Sequence, residues 1–429
     1  MKDFCISYKY FLLILFGLVG CNSFFNSLAF VLGYDYAYSA YLFKPSDFLA
    51  DFLKVAASYP GEIPEDFNNR TSLERDYFVN NPYGGLSSLD NNELTHFHIT
   101  PLSTLLYLFI RELMNHTSGL YLYFIISVFW LFPLIYMPIK IAKNNKKTVF
   151  LVLALLISYP IIFALTRGNI TAGFTGVSLI IGLYLCALKK YPIFQIILFS
   201  IAINIRPNAI IFLLAPFIFY NFKDALKLAF LTVTSTISLF FISLYFSNLI
   251  YDDYTLANFL KGLNIYYEMY VVNSAGLTSG SSAFFMINVL FRSIGFLSPS
   301  IDLINLIIFM VGLCIFILSF INFLQKKLTP YEALFISSCL YVLMSTVLGD
   351  YHLIIFAIFP ILFISNNYNV GEEDESYIIP MVTSALILAP KNFIFIKGMS
   401  LQIVLNPLIL IIATILILYK SIKVKKLEN

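Results

Sequence analysis

Apolar residues in this chain fall into long unbroken runs, not into the alternating or three-to-four spacing of a fold with one watered face. Runs of spanning or near-spanning length cover 10–32, 119–139, 148–165, 170–188, 191–204, 208–221, 228–249, 301–323, 331–348, 351–366, 377–390 and 402–419. A transmembrane helix needs roughly 20 apolar residues, so the pattern predicts an all-α polytopic membrane protein with about twelve spans, within a range of about 10–13. The shortest runs, 191–204 and 208–221, read as a hairpin that does not cross fully. Polar residues concentrate in one long segment between the first and second runs. The expected organisation is one integral membrane domain over 1–429. It has a first transmembrane helix (10–32), an external loop (33–118), a transmembrane core (119–366) and C-terminal helices (377–419).

Composition sharpens this picture. Hydrophobic residues make up 59% of the 429 and charged residues 12%, against roughly 25% charged in a soluble domain. A net charge of +3, with no basic patch interleaved with aromatics, gives no expectation of a nucleic-acid partner. The five cysteines, Cys5, Cys21, Cys186, Cys314 and Cys339, lie in or beside apolar runs without CxxC spacing, so neither a disulfide framework nor a cysteine metal site is expected. Lys2 and Lys9 ahead of "LVGC" (18–21) resemble a lipoprotein signal. A cleaved signal has an apolar region of roughly 7–15 residues, whereas here apolarity continues to Leu32, so the stretch reads as the first span.

Charge orients the spans. With the N-terminus inside, Lys2, Lys9, Lys140, Lys143, Lys146, Lys147, Lys189, Lys190, Lys223, Lys227, Lys326, Lys327, Lys420, Lys423, Lys425 and Lys426 fall in cytoplasmic loops or tails, as the positive-inside bias requires. Every arginine, Arg70, Arg75, Arg111, Arg167, Arg206 and Arg292, and every histidine, His96, His98, His116 and His352, falls outside. Lysine serves topology and arginine gathers on the outer face. The acidic "GEEDES" (371–376) is the one inner loop that breaks the rule. A Lys/Asn/Ile-rich composition points to a bacterial inner membrane with both termini cytoplasmic, so the Asn69-Arg70-Thr71 sequon carries no expectation of a glycan.

Chemistry is to be sought on the outer face. The external segment opens with "FKPSDFLADFLKVAASY" (43–59), where Pro45 and Ser46 can start a helix whose Asp47 and Asp51, four apart, share a face. It ends in "HFHITPLSTLLYLFIREL" (96–113), an amphipathic piece suited to the membrane surface. Between two apolar runs stands "FALTRGNITAGF" (163–174), which puts Arg167 where a charge costs on the order of 3 kcal/mol or more.

These stretches resemble the GT-C superfamily of membrane glycosyltransferases, and within it glycosyltransferase family 87, the polyprenol-phosphate-mannose-dependent mannosyltransferases. "SDFLADFLKVAA" (46–57) is similar to the family's acidic first-loop motif and "HFHITPLSTLL" (96–106) to its aromatic-Pro-Leu segment. "TRGNI" (166–170) is similar to its Arg/Gly-Gln/Asn turn, and "NIRPNAIIFLL" (204–214) to its Lys-x-x-Pro hairpin, with Arg206-Pro207 in place of lysine. A weaker echo is "GDYHLIIFAIFP" (349–360). The resemblance spans residues 45–360 and implies transfer of a hexose, mannose by the family, from a polyprenyl-phosphate sugar to a lipid-linked or cell-envelope glycan acceptor.

The resemblance implies roles residue by residue. Asp47 matches the catalytic carboxylate, a general base for the acceptor hydroxyl in an inverting displacement. Arg167 and Arg206, as planar permanently charged forks, match the donor-phosphate ligands, with Asn169 beside them and Gly168 giving close backbone approach. Asp51, His96, His98, Arg292 and His352 are possible substrate-binding residues. No cofactor is expected, because arginines can carry the leaving-group charge, although Asp47 with Asp51 can hold a divalent ion. Each has a plainer reading: Asp47 a helix N-terminal acid, Arg167, Arg206 and Arg292 headgroup anchors, His352 a buried hydrogen-bonding residue beside Asp350, His96 and His98 loop residues. Two rival activities also stay open, a polysaccharide polymerase or O-antigen ligase, and a lipid-linked oligosaccharide flippase or transporter. No internal repeat of the transporter kind is visible, and the long external loop comes earlier than in such polymerases.

Overall fold

The computed structural model describes residues 6–33, 49, 51–52, 100–114, 117–141, 145–250, 254–267, 271, 280–294, 300–366, 375–391, 395–396 and 399–423. The described chain is an α-helical bundle whose one strand pair, Phe395–Ile396 with Met399–Ser400, is two residues long. In chain order the helices are α1 (Ile6–Leu32), α2 (Pro101–Met114), α3 (Gly119–Ile141), α4 (Asn145–Leu156), α5 (Tyr159–Arg167), α6 (Ile170–Ala187) and α7 (Pro192–Ile205). A 3-10 helix (Pro207–Leu214) runs into α8 (Ala215–Phe219), followed by α9 (Phe222–Ile250), α10 (Leu256–Tyr267), α11 (Ala283–Ile294), α12 (Ile301–Leu324) and α13 (Pro330–Leu343). A further 3-10 helix (Asp350–Ala357) runs into α14 (Ile358–Asn366), then α15 (Ile378–Leu388) and α16 (Gln402–Lys423).

All twelve apolar runs are helical, but they differ in reach. Among the described residues six helices, α1, α3, α6, α9, α12 and α16, are long and apolar enough to cross a membrane, and α4 with α5, bent by 46°, would count as a seventh. The others are shortened by identifiable breaks. Proline lacks an N–H and clashes with the preceding turn, so it starts helices better than it continues them. Pro160, Pro192, Pro207 and Pro330 each sit in the first turn of a new helix.

Burial separates the interior helices from the rim. In α6, 72% of the apolar window is buried, against 17% in α9 and in α12, which turn Phe230, Phe241, Phe246, Phe309 and Met310 outward. Apolar side chains in that number stay on the surface only where lipid replaces water. Close packing at α6 depends on a missing side chain: a Cβ on Gly176 would lie 2.1 Å from Ile354 Cγ2, so only glycine admits the Asp350–Ala357 helix at this distance.

The bundle has two chemically different ends. At one, Lys140 closes α3, Lys189 and Lys190 follow α6, Lys223 opens α9, and Lys420 at the end of α16 pairs with Glu332 at 3.5 Å. At the other, Arg167 ends α5 and Arg206 follows α7. The predicted surface piece 96–113 is described from Thr100 and forms α2, which crosses this arginine end. Thr100 Oγ1 donates to Ile205 O at 3.5 Å, Ser247 Oγ donates to Pro101 O at 3.2 Å, and the chain leads on into α3, whose Tyr123 hydroxyl donates to Leu165 O.

Leu49 has φ +55°, a left-handed backbone that an α-helix of L-residues does not pass through. Asp47, four residues before Asp51, lies outside the described residues. Asp51 and Phe52 open a helical turn beyond the break.

Candidate functional site

The site is assembled where the described start of the external segment docks on the turn between α5 and α6. α5 ends because Gly168, with φ +75°, turns its N–H back onto Ala164 O and Leu165 O. A Cβ there would sit 2.6 Å from Phe52 Cβ and 3.3 Å from Leu49 Cα, so the absent side chain is what lets the 49–52 backbone close on the turn. Leu49 N then donates to Thr166 O at 2.6 Å. Phe52 is buried beside Tyr107, Ile110, Leu122 and Ile170, 5.1 Å from the Tyr123 ring.

Docking delivers the Asp51 carboxylate to Arg167. Arg167 Nη2 donates to Asp51 Oδ1 at 2.7 Å and Nε to Oδ2 at 3.2 Å, the two-point contact that a guanidinium makes and an ammonium does not. Nε and Nη2 form one edge of the fork, and Nη1 points to the opposite edge. Asn169 Nδ2 donates to Asp51 Oδ2 at 2.9 Å, while its Oδ1 accepts from Ala172 N at 2.8 Å and Thr171 Oγ1 at 3.0 Å, capping α6. One asparagine thus fixes both the helix start and the carboxylate. The pair is largely buried, with side chains 10% exposed for Arg167 and 18% for Asp51.

Arg206 lies at the same end of the bundle. It follows the last residue of α7 in extended backbone, φ −135°. Tyr107, hydrogen-bonded to Thr171, lies within electrostatic range of both Asp51 and Arg206. His352 lies within range of Arg206, is 3% exposed, and sets its ring edge-on to Tyr351 at 4.8 Å. The structure therefore brings Asp51, Arg167 and Asn169 into contact, with Arg206 sharing Tyr107 as a neighbour and His352 near Arg206. Gly168 does give close backbone approach, with the 49–52 segment as its occupant. Asp47, His96 and His98 lie outside the described residues, and of Arg292 only the backbone, in α11, is described.

A second polar centre lies deeper, and sequence reasoning touched it only through Asp350. The Asp350 carboxylate, fully buried, accepts from Tyr159 Oη at 3.1 Å and Gln402 Nε2 at 2.6 Å on one oxygen, and from Ser281 Oγ on the other. Gln402 Nε2 also reaches Tyr159 Oη at 2.7 Å, and Asn406 Nδ2 donates to Ser281 Oγ at 2.9 Å. A backbone bond, Ser281 N to Leu348 O at 3.3 Å, aligns the two irregular stretches involved. Lys391, just past the end of α15, donates to Ala389 O at 2.8 Å and to Leu386 O. Burial pushes its ammonium down to about 7, against the pull of Asp350 toward the charged form. The signal for this centre was an acidic residue between two closely spaced apolar runs, and Gln402 and Asn406 spaced four apart on one helix face.

Among the described residues no cluster of three or more His, Cys, Asp or Glu side chains is suited to a metal ion. No family model matches the chain, and neither a curated protein nor a solved structure matches it significantly.

Proposed function

We propose that the chain is a GT-C-type membrane glycosyltransferase of the family 87 kind. It would move a hexose from a polyprenyl-phosphate sugar to a lipid-linked or cell-envelope glycan on the outer face of a bacterial inner membrane. In this reading the helices make about twelve passages, several of them partial, and both termini are cytoplasmic. The observation that carries it is the docking of the acidic first-loop segment on the Arg-Gly-Asn turn. It joins two motifs of the resemblance, Asp51 with Arg167 and Asn169, at the arginine end of the bundle.

The chemistry follows from the charges. The acceptor oxygen forms a bond to the anomeric carbon as the bond from that carbon to the phosphate oxygen breaks, and polyprenyl phosphate leaves with the electron pair. Asp47 takes the acceptor proton. Arg206 meets the charge growing on the phosphate, and Arg167, held by Asp51, adds positive potential beside it in a region of low dielectric. Asp51 and Asn169 hold Arg167 in register, so Asn169 acts through Asp51. A β-linked donor gives an α product.

The test is transfer of label from radiolabelled polyprenyl-phosphate hexoses into membrane extract by the purified, reconstituted protein. Transfer is expected, with turnover reduced ~100-fold or more in Asp47→Asn, the usual scale of acid–base catalysis. No transfer from any hexose donor overturns the reading. Near-normal turnover in Asp47→Asn with collapse in Asp51→Asn moves the base to Asp51. The orientation is tested by Asp90→Cys, which should react with an impermeant thiol reagent from outside.

A further inference from the structure

We infer that the buried Asp350 centre is a positioning device for Arg167, acting through one face of α5; as a contribution to catalysis this rests on the transferase reading. Tyr159, Phe163 and Arg167 follow one another at intervals of four on this short helix, so they line one face over about 12 Å. Their rings and the guanidinium form a continuous stack. Phe163 lies 5.2 Å from the Tyr159 ring, nearly parallel at 17°, and 5.9 Å from the Tyr351 ring at 21°. The Arg167 guanidinium carbon lies 5.7 Å from the Phe163 centroid.

The far end of the stack is anchored. Tyr159 Oη is bonded to Asp350 and to Gln402, which come from different helices. α5 needs such an anchor, because it is nine residues long and joined to α4 through a 46° bend, so its own backbone bonds do not fix its direction. A rotation of α5 would carry Tyr159 off Asp350 and, one face-length away, carry Arg167 off Asp51. The η-oxygen of Tyr159 is thus the distant half of the contact that orients the site.

Tyr159→Phe removes only that oxygen and keeps the ring stack. With the six arginines labelled selectively with 15N, the Arg167 Nε–H resonance, identified by its loss in Arg167→Lys, should move or broaden in Tyr159→Phe while the Arg206 resonance holds its position. Gln402→Met, which takes away the other bond to Tyr159, should do the same and serves where Tyr159→Phe folds poorly. Donor affinity should fall about 2- to 30-fold in either variant, the range expected when a packed network is perturbed away from the ligand. An Arg167 resonance unchanged in both variants overturns the positioning role, whatever the transfer assay gives. A shifted Arg167 resonance in a protein that transfers no hexose supports the positioning and removes the transferase reading alone.

Discussion

At the Arg167 end of α5 a carboxylate is held by a guanidinium and an amide and keeps a share of its surface, 18% of the Asp51 side chain. At the Tyr159 end a carboxylate is held by hydroxyl and amide donors and keeps none. The same functional group on the same helix face serves opposite ends. The Asp51 carboxylate keeps some exposure but is largely desolvated, so it and Arg167 depend on each other as partners. A charge in the interior persists only where every lone pair is met by a donor, and such a network fixes the geometry of what it touches. The inner centre is a fixed point; on the proposed transferase reading the outer centre is the working surface.

The comparison makes its largest claim about Asp350. Asp350→Ala removes the acceptor of three donors in a dry region, and each group left unmet costs about 1–3 kcal/mol, so the variant should lose most of its folded yield in detergent. Asp51→Ala strands the largely buried Arg167 guanidinium and should cost about 3 kcal/mol, less than Asp350→Ala, while transfer of labelled hexose collapses. Titration of both with sodium dodecyl sulfate decides the matter; a fragile Asp51→Ala beside a robust Asp350→Ala would reverse the assignment of the two centres.

Gly168→Ala comes next. It must hold φ +75° and meet Phe52, so the 49–52 segment should undock at a cost of about 1–3 kcal/mol, read as faster amide exchange at Leu49 and Phe52 with the helices α12 and α16 unaffected.

Asn169 separates its two duties. Asn169→Ala should lose about 1 kcal/mol of stability with the α6 cap. Asn169→Ser restores the cap and the midpoint but not the bond to Asp51, so turnover should stay low. Recovery of both together would make Asn169 a cap and nothing more.

The smallest effect is on pH. The Lys391 ammonium titrates near 7 in the folded protein and at 10.5 when exposed, so across that window the unfolded chain holds the extra proton and stability rises with pH at this residue. Lys391→Met should flatten that rise, measured as the change in denaturation midpoint between pH 7 and pH 9.

Much of the helical frame was legible along the chain, because apolar run length reports directly on membrane solvent and proline on helix starts. The segregation of lysine from arginine was legible for the same reason: it follows from loop position alone. The reach of each helix was not, since a run of 14 apolar residues reads alike whether it crosses or stops, and what shortens it, such as the break before Asp350, depends on what packs against it.

The site divides the same way. The sequence by itself determined that this is an α-helical membrane protein and that "TRGN" is an anomaly needing partners, because an isolated arginine in an apolar setting is too costly to stand alone. Only the tertiary structure decided who the partners are. Arg167 meets Asp51 across 116 residues, Tyr159 meets Asp350 across 191 and Gln402 meets Asp350 across 52. Local periodicity carries no information at those separations, and the left-handed turn at Leu49 lies where the chain packs against Gly168, a contact no local signal announces.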